Sequence, residues 1–181
     1  MRVAVYGGSF NPPHVGHAMV AAWVLWTDRA DEVWLLPTFR HAFDKPLAPF
    51  DARKAWCEAM AGTIGAGVRV CTIEESLPSP SYTIDTLRAL SSSHPDHTFR
   101  LVVGSDVLQQ VDSWKDWSGI QRDFAPIIVG RAGYPNPPDV VVFPEVSSTS
   151  IRASLGRGEG VEAFVPAAVL EVLPAWRAEW S

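Results

Sequence analysis

The chain has 181 residues, 15 Lys and Arg against 20 Asp and Glu, a formal net charge of −5 and 47% hydrophobic residues. That length suits one domain, 1–181, which buries roughly 70% of its unfolded surface on folding. The hydrophobic content excludes a disordered or fibrous chain, and the acidic balance speaks against a broad nucleic-acid footprint. Cys57 and Cys71, the two cysteines, form no disulfide framework or metal knuckle, which suits a reducing cytoplasm.

Arg2–Tyr6 is a short β-branched run ending at Gly7-Gly8 and predicts a buried first strand. His17–Asp28 predicts a helix that is apolar nearly all round, a pattern of helices packed on two sides. Its apolar run, Ala18–Trp26, is nine residues, half of what a bilayer requires, so no membrane span is expected. That helix and Trp180 permit self-association. Glu32–Pro37 is the second predicted strand. Asp51 is the expected cap of a helix through about Met60, which glycines 62, 65 and 67 end. Val68–Ile73 alternates as a third strand, and Ser81 or Thr83 starts the next helix.

Thr98–Val103 predicts a strand ending at Gly104, followed by helical turns near Val107–Val111 and Trp117–Arg122. Pro126–Gly130 and Val140–Phe143 predict further strands, and Ser148–Leu155 and Pro166–Trp176 closing helices. Strands alternating with helices imply parallel pairing with right-handed crossovers. The expectation is an α/β fold, one doubly wound parallel sheet, which binds ligands beyond the carboxyl ends of its strands. Three polar clusters fall at that edge: Gly7–His17, Gly104–Asp106 and Ser147–Arg152.

The first cluster reads Gly7-Gly8-Ser9-Phe10-Asn11-Pro12-Pro13-His14-Val15-Gly16-His17. Glycines between strand and helix allow close backbone approach, so the amides of Gly8, Ser9 and Phe10 suit phosphate oxygens. His14 and His17 stand at a helix start, which favours an anion. A tight turn with two unrelated histidines is the plain alternative. The Gly-Lys-Ser/Thr ending of a P-loop and the Gly-x-Gly-x-x-Gly fingerprint are both missing. No Cys, Asp or Glu completes a zinc shell beside the histidines, so no protein-bound metal is expected.

This segment resembles the His-x-Gly-His signature of the nucleotidyltransferase superfamily, and Ser147-Ser148-Thr149-Ser150-Ile151-Arg152 resembles its second signature. Ser81-Tyr82-Thr83-Ile84-Asp85-Thr86-Leu87 is similar to a segment of bacterial nicotinate-nucleotide adenylyltransferases. So are Gly104-Ser105-Asp106 with Trp114 and Trp117, Arg131-Ala132-Gly133, and Val165-Pro166-Ala167-Ala168-Val169. The loop after Pro37 departs from the pattern: Thr38-Phe39-Arg40-His41-Ala42-Phe43-Asp44-Lys45 stands where the family shows Pro-Pro-His-Lys.

The resemblance implies a Rossmann-like fold and transfer of AMP from ATP to nicotinate mononucleotide, releasing pyrophosphate, with Mg²⁺ arriving on ATP. It places His14 and His17 on the α-phosphate, and Lys45 and Arg152 on the β and γ groups. Gly7, Gly8, Ser9, Phe10, Gly104, Asp106, Ser147, Ser148 and Thr149 complete the ATP site, with Asp106 accepting from ribose hydroxyls. Backbone amides at Thr83 and Ile84 would take the nicotinate carboxylate, and Trp114 or Trp117 would stack on its ring. Another phosphate acceptor, such as nicotinamide mononucleotide, pantetheine phosphate or a sugar phosphate, is the alternative that the altered loop keeps open. An inactive nucleotide-binding regulator is a third reading.

Overall fold

The structure is a computed structural model and describes residues 1–40, 47–79 and 81–173. Lys45, His41 and Trp180, and the expected helix end at Trp176, lie outside them. Six strands form one wholly parallel sheet: β1 (Arg2–Gly8), β2 (Glu32–Pro37), β3 (Val68–Val70), β4 (Thr98–Gly104), β5 (Ile127–Arg131) and β6 (Val142–Phe143). Their spatial order is β3-β2-β1-β4-β5-β6, so the strand order reverses direction between β1 and β4. This is the doubly wound arrangement, whose ligand crevice opens at that reversal.

The central strands are apolar through Val3–Val5, Val33–Leu36 and Leu101–Val103 because both sheet faces are covered there. Ala4, Val33, Leu35 and Val102 point into one core, shared with α1 (Val15–Trp26), α2 (Phe50–Ile64) and α7 (Ala167–Val172). Val3, Val5, Trp34, Leu36, Leu101 and Val103 point into the other, with α3 (Thr83–Ser93) and α5 (Trp117–Phe124). Among the described residues no helix is long and apolar enough to cross a membrane.

Element bounds differ from expectation where a particular contact intervenes. The helix α1 starts two residues early, at Val15, and ends at Trp26, where the Thr27 hydroxyl donates to the Trp23 carbonyl at 2.6 Å. Its all-round apolar surface is not all covered, since Trp26 is 79% exposed. Asp51 is not the cap of α2: Pro49 holds that place, Asp51 sits in the first turn, and the helix runs on to Ile64. Gly62 is tolerated inside it, and the chain turns away at Gly65, whose φ of 134° suits glycine. The third strand stops at Val70, because Ile73–Ser76 coils into a 3₁₀ turn that carries Glu74 inward. After β4 the chain forms the short helix α4 (Ser105–Leu108) and a 3₁₀ turn, Val111–Ser113.

Candidate active site

A cavity of about 460 Å³ opens over the carboxyl ends of β1 and β4. Gly7, Gly8, Ser9, His14 and His17 line it from the β1 side, Gly104 and Asp106 from β4. Thr83 and Trp114 close the opposite end. The three clusters read from the sequence are thus not equally placed. Phe10, Ile84, Trp117 and the whole of Ser147–Arg152 do not line the cavity.

The two histidines stack, with ring centroids 3.7 Å apart and planes 29° from parallel. Gly16 leaves room for this: a Cβ there would stand 3.0 Å from His14 Nδ1, tighter than most side-chain contacts, and 3.4 Å from Val146 Cβ. Phe10, buried with a φ of 46°, supports His17 from below at a centroid distance of 4.8 Å. Its ring packs in the loop and does not line the cavity. The His14 backbone N–H donates to His17 Nδ1 at 3.2 Å. The neutral His17 ring accordingly carries its hydrogen on Nε2. His14 Nδ1 is buried without a hydrogen-bond partner, which favours the same tautomer there. Burial first, then the neighbouring Arg131 charge, pushes His14 down to about 4. Burial, the His14 charge and Arg131 also push His17 well below its usual value. Both rings are neutral Nε2–H donors near pH 7.

The second signature works from behind the loop. The helix α6 (Ser148–Gly156) is capped by the Ser147 hydroxyl, which accepts from Thr149 N–H at 3.2 Å. Ser148 Oγ donates to the Pro12 carbonyl at 2.9 Å, and Arg152 Nη1 to the Asn11 carbonyl at 3.0 Å. Arg152 Nη2 lies 3.4 Å from Thr149 Oγ1. In this structure Ser148 and Arg152 bond to the turn between Gly7 and His17, against which α6 docks.

At the other end, Asp85 and Thr86 donate the first backbone bonds of α3, both to the Tyr82 carbonyl at 2.9 and 3.0 Å. The Thr83 and Ile84 amides lie ahead of these bonds at the helix start. The Ile84 side chain is fully buried, so only its backbone can serve a ligand. Trp117 meets Trp114 edge-on at 5.7 Å and backs it, leaving Trp114 as the lining ring.

Sequence reasoning left three charged groups without a role. Arg131 lines the cavity: its Nη1 donates to Asp106 Oδ2 at 2.7 Å, its Nη2 to the Val146 carbonyl at 3.3 Å, and its N–H to Ser105 Oγ at 3.0 Å. Its signal was present in Arg131-Ala132-Gly133, read only as a family echo. Arg53 and Glu74 are buried charges in α2 and the 3₁₀ turn, with no motif around them to mark them. Among the described residues no group of three or more His, Cys, Asp or Glu is arranged to hold a metal ion.

Residues 5–154 match the family described as cytidylyltransferase-like. The chain belongs to that family. A relative named "Probable nicotinate-nucleotide adenylyltransferase", from Anaeromyxobacter sp. (strain K), is 48% identical over 172 residues, covering 93% of this chain and 91% of the relative. The fold matches the solved Plasmodium falciparum nicotinic acid mononucleotide adenylyltransferase complexed with NaAD, with a TM-score of 0.78 over 99% of this chain and 98% of that one. A second structure of the Plasmodium protein, complexed with APC, gives a TM-score of 0.74 over the same shares of the two chains. Both are 19% identical to this chain and speak to the fold alone.

Proposed function

We propose that this protein transfers the adenylyl group of ATP to nicotinate mononucleotide and releases pyrophosphate. The observation that carries the reading is the stacked, neutral pair His14 and His17 on a glycine loop at the strand-order reversal. It agrees with the name of the 48%-identical relative, which spans almost the whole chain.

The mononucleotide phosphate oxygen attacks the α-phosphorus of ATP in line. An O–P bond forms there as the bond to the β-phosphate oxygen breaks, and pyrophosphate leaves. Such transfer requires positioning and charge stabilisation rather than a protein nucleophile. The Nε2–H groups of His14 and His17 donate to α-phosphate oxygens, whose charge shifts most in the transition state. Arg131 and Arg40, the described cations that line the cavity, face the β and γ groups, and Lys45 joins them by resemblance. Arg152 contributes through the Asn11 carbonyl it holds. Asp106 Oδ2 is taken by Arg131, which leaves Oδ1 for a ribose hydroxyl. ATP enters as its Mg²⁺ complex, a substrate whose metal is carried by phosphate oxygens and water. Trp114 stacks on the nicotinate ring, and the amides at the start of α3 receive its carboxylate.

The test is an acceptor panel with ATP, scored by pyrophosphate release and the dinucleotide formed. Nicotinate mononucleotide is expected to give the highest kcat/KM. A higher value for nicotinamide mononucleotide, pantetheine phosphate or a sugar phosphate would move the assignment to that acceptor.

A further inference from the structure

The loops after β1 and β2 both line the cavity, side by side where the Thr38 N–H donates to the Gly8 carbonyl at 2.9 Å, and two buried charges hold them. Arg53, on α2, is 1% exposed. Its Nη1 donates to the Ser9 carbonyl at 3.0 Å and its Nε to the Ala48 carbonyl at 2.9 Å. Ser9 belongs to the glycine loop under the histidine pair. Glu74 is 7% exposed. Its Oε2 accepts the Phe39 N–H at 2.9 Å, and its Oε1 accepts the Thr86 hydroxyl at 3.3 Å. Phe39 lies in the loop after β2 and Thr86 in the first turn of α3, so one carboxylate spans the two walls of the acceptor end. The two charges are not in contact, yet each favours the other's ionised form, while burial opposes both.

Arg53 does not line the cavity, and Glu74, which does, spends both carboxylate oxygens on Phe39 and Thr86. Burying an ionised group is costly unless it is bonded to fixed dipoles. Here the dipoles are backbone groups of the two loops and the Thr86 hydroxyl of α3. We propose that Arg53 and Glu74 are positioning residues, which set the nucleotide end of the cavity through Ser9 and the acceptor end through Phe39 and Thr86. This rests on the adenylyl-transfer reading for which end is which.

Calorimetric binding of ATP and of nicotinate mononucleotide, measured separately on each protein, tests it without requiring turnover. In Glu74→Ala, loss of the bonds that Phe39, Thr86 and Ser81 donate to a charged acceptor is expected to raise Kd for the mononucleotide about tenfold or more, with Kd for ATP within about threefold of wild type. Glu74→Gln is expected to recover mononucleotide binding to within about threefold of wild type. Its carbonyl oxygen accepts the Phe39 N–H and its NH₂ donates to the Thr86 hydroxyl. Arg53→Lys keeps the charge but loses the fork, and is expected to show the reverse split, with weakened ATP binding.

Should Glu74→Ala not fold, Thr86→Val removes the α3 end of the same bridge and is expected to raise Kd for the mononucleotide roughly 3–10-fold. Folded variants in which both affinities fall together, or neither falls, overturn the proposal, as does a Gln variant no better than Ala. Wild-type protein that binds both ligands but releases no pyrophosphate overturns the transfer reading alone, and the split in Kd then decides the positioning roles. Wild type that binds neither overturns both.

Discussion

At the nucleotide end of the cavity the groups assigned to the α-phosphate come from one contiguous segment, Gly7–His17, whereas the acceptor end draws on α3, the loop after β2 and the stretch between α4 and α5. The first end is also braced from far along the chain, since Ser148 and Arg152 hold the Pro12 and Asn11 carbonyls. The acceptor end relies on a single carboxylate, Glu74, between its two walls. A group that must meet a migrating phosphoryl centre is thus fixed redundantly. A group that only selects the acceptor rests on fewer contacts, and substitutions there are expected to change affinity before they change turnover.

Acid separates the two ends most strongly, because the titrating pair sits at one of them. The His14 ring is held down at about 4 when folded, against an ordinary value of 6.5. Between those values the unfolded chain binds a proton that the native chain does not, so stability falls as pH drops from 6.5 towards 4. The His14 contribution is roughly 3 kcal/mol once pH is below both values. Glu74, pushed up by burial, acts in the opposite sense on acidification and partly offsets it. Urea midpoints of wild type and His14→Gln across that range isolate the histidine. A wild-type slope no steeper than the variant's would remove the nucleotide end from the account of acid sensitivity.

A smaller effect is expected from Trp114→Ala at the acceptor end. Loss of one stacked ring is expected to raise KM for nicotinate mononucleotide about tenfold, with kcat changed less than threefold. A fall in kcat of equal size would mean that Trp114 shapes the reacting geometry, and the contrast between the ends would fail. Steady-state kinetics with each substrate varied in turn reads this directly.

The same contrast explains what the sequence discloses. The parallel α/β sheet and the Gly7–His17 loop are legible because alternation of apolar strands with helices, and a contiguous motif, are local patterns. Lining by Gly104, Asp106, Thr83 and Trp114 is legible through resemblance. The amide of Phe10 is legible from the loop, but only the fold shows its ring packed under His17. The Ser147–Arg152 cluster looks like a phosphate site because a helix start with hydroxyls and arginine serves an anion or a neighbouring carbonyl equally well. Arg53 and Glu74 leave no motif to read, since the bonds that tie them to the cavity loops reach backbone groups 44 and 35 residues away. Strand β3 is overcalled because the pull of Glu74 toward Phe39 N–H is a tertiary contact that overrides local alternation.

The central claim, that neutral imidazole donors stabilise charge on the α-phosphate, is tested most directly by pyrophosphate release from ATP and nicotinate mononucleotide in His17→Ala. A folded variant is expected to lose about 10²–10³ in kcat, with KM for the mononucleotide within about threefold of wild type. Unchanged turnover in that folded variant would contradict the account.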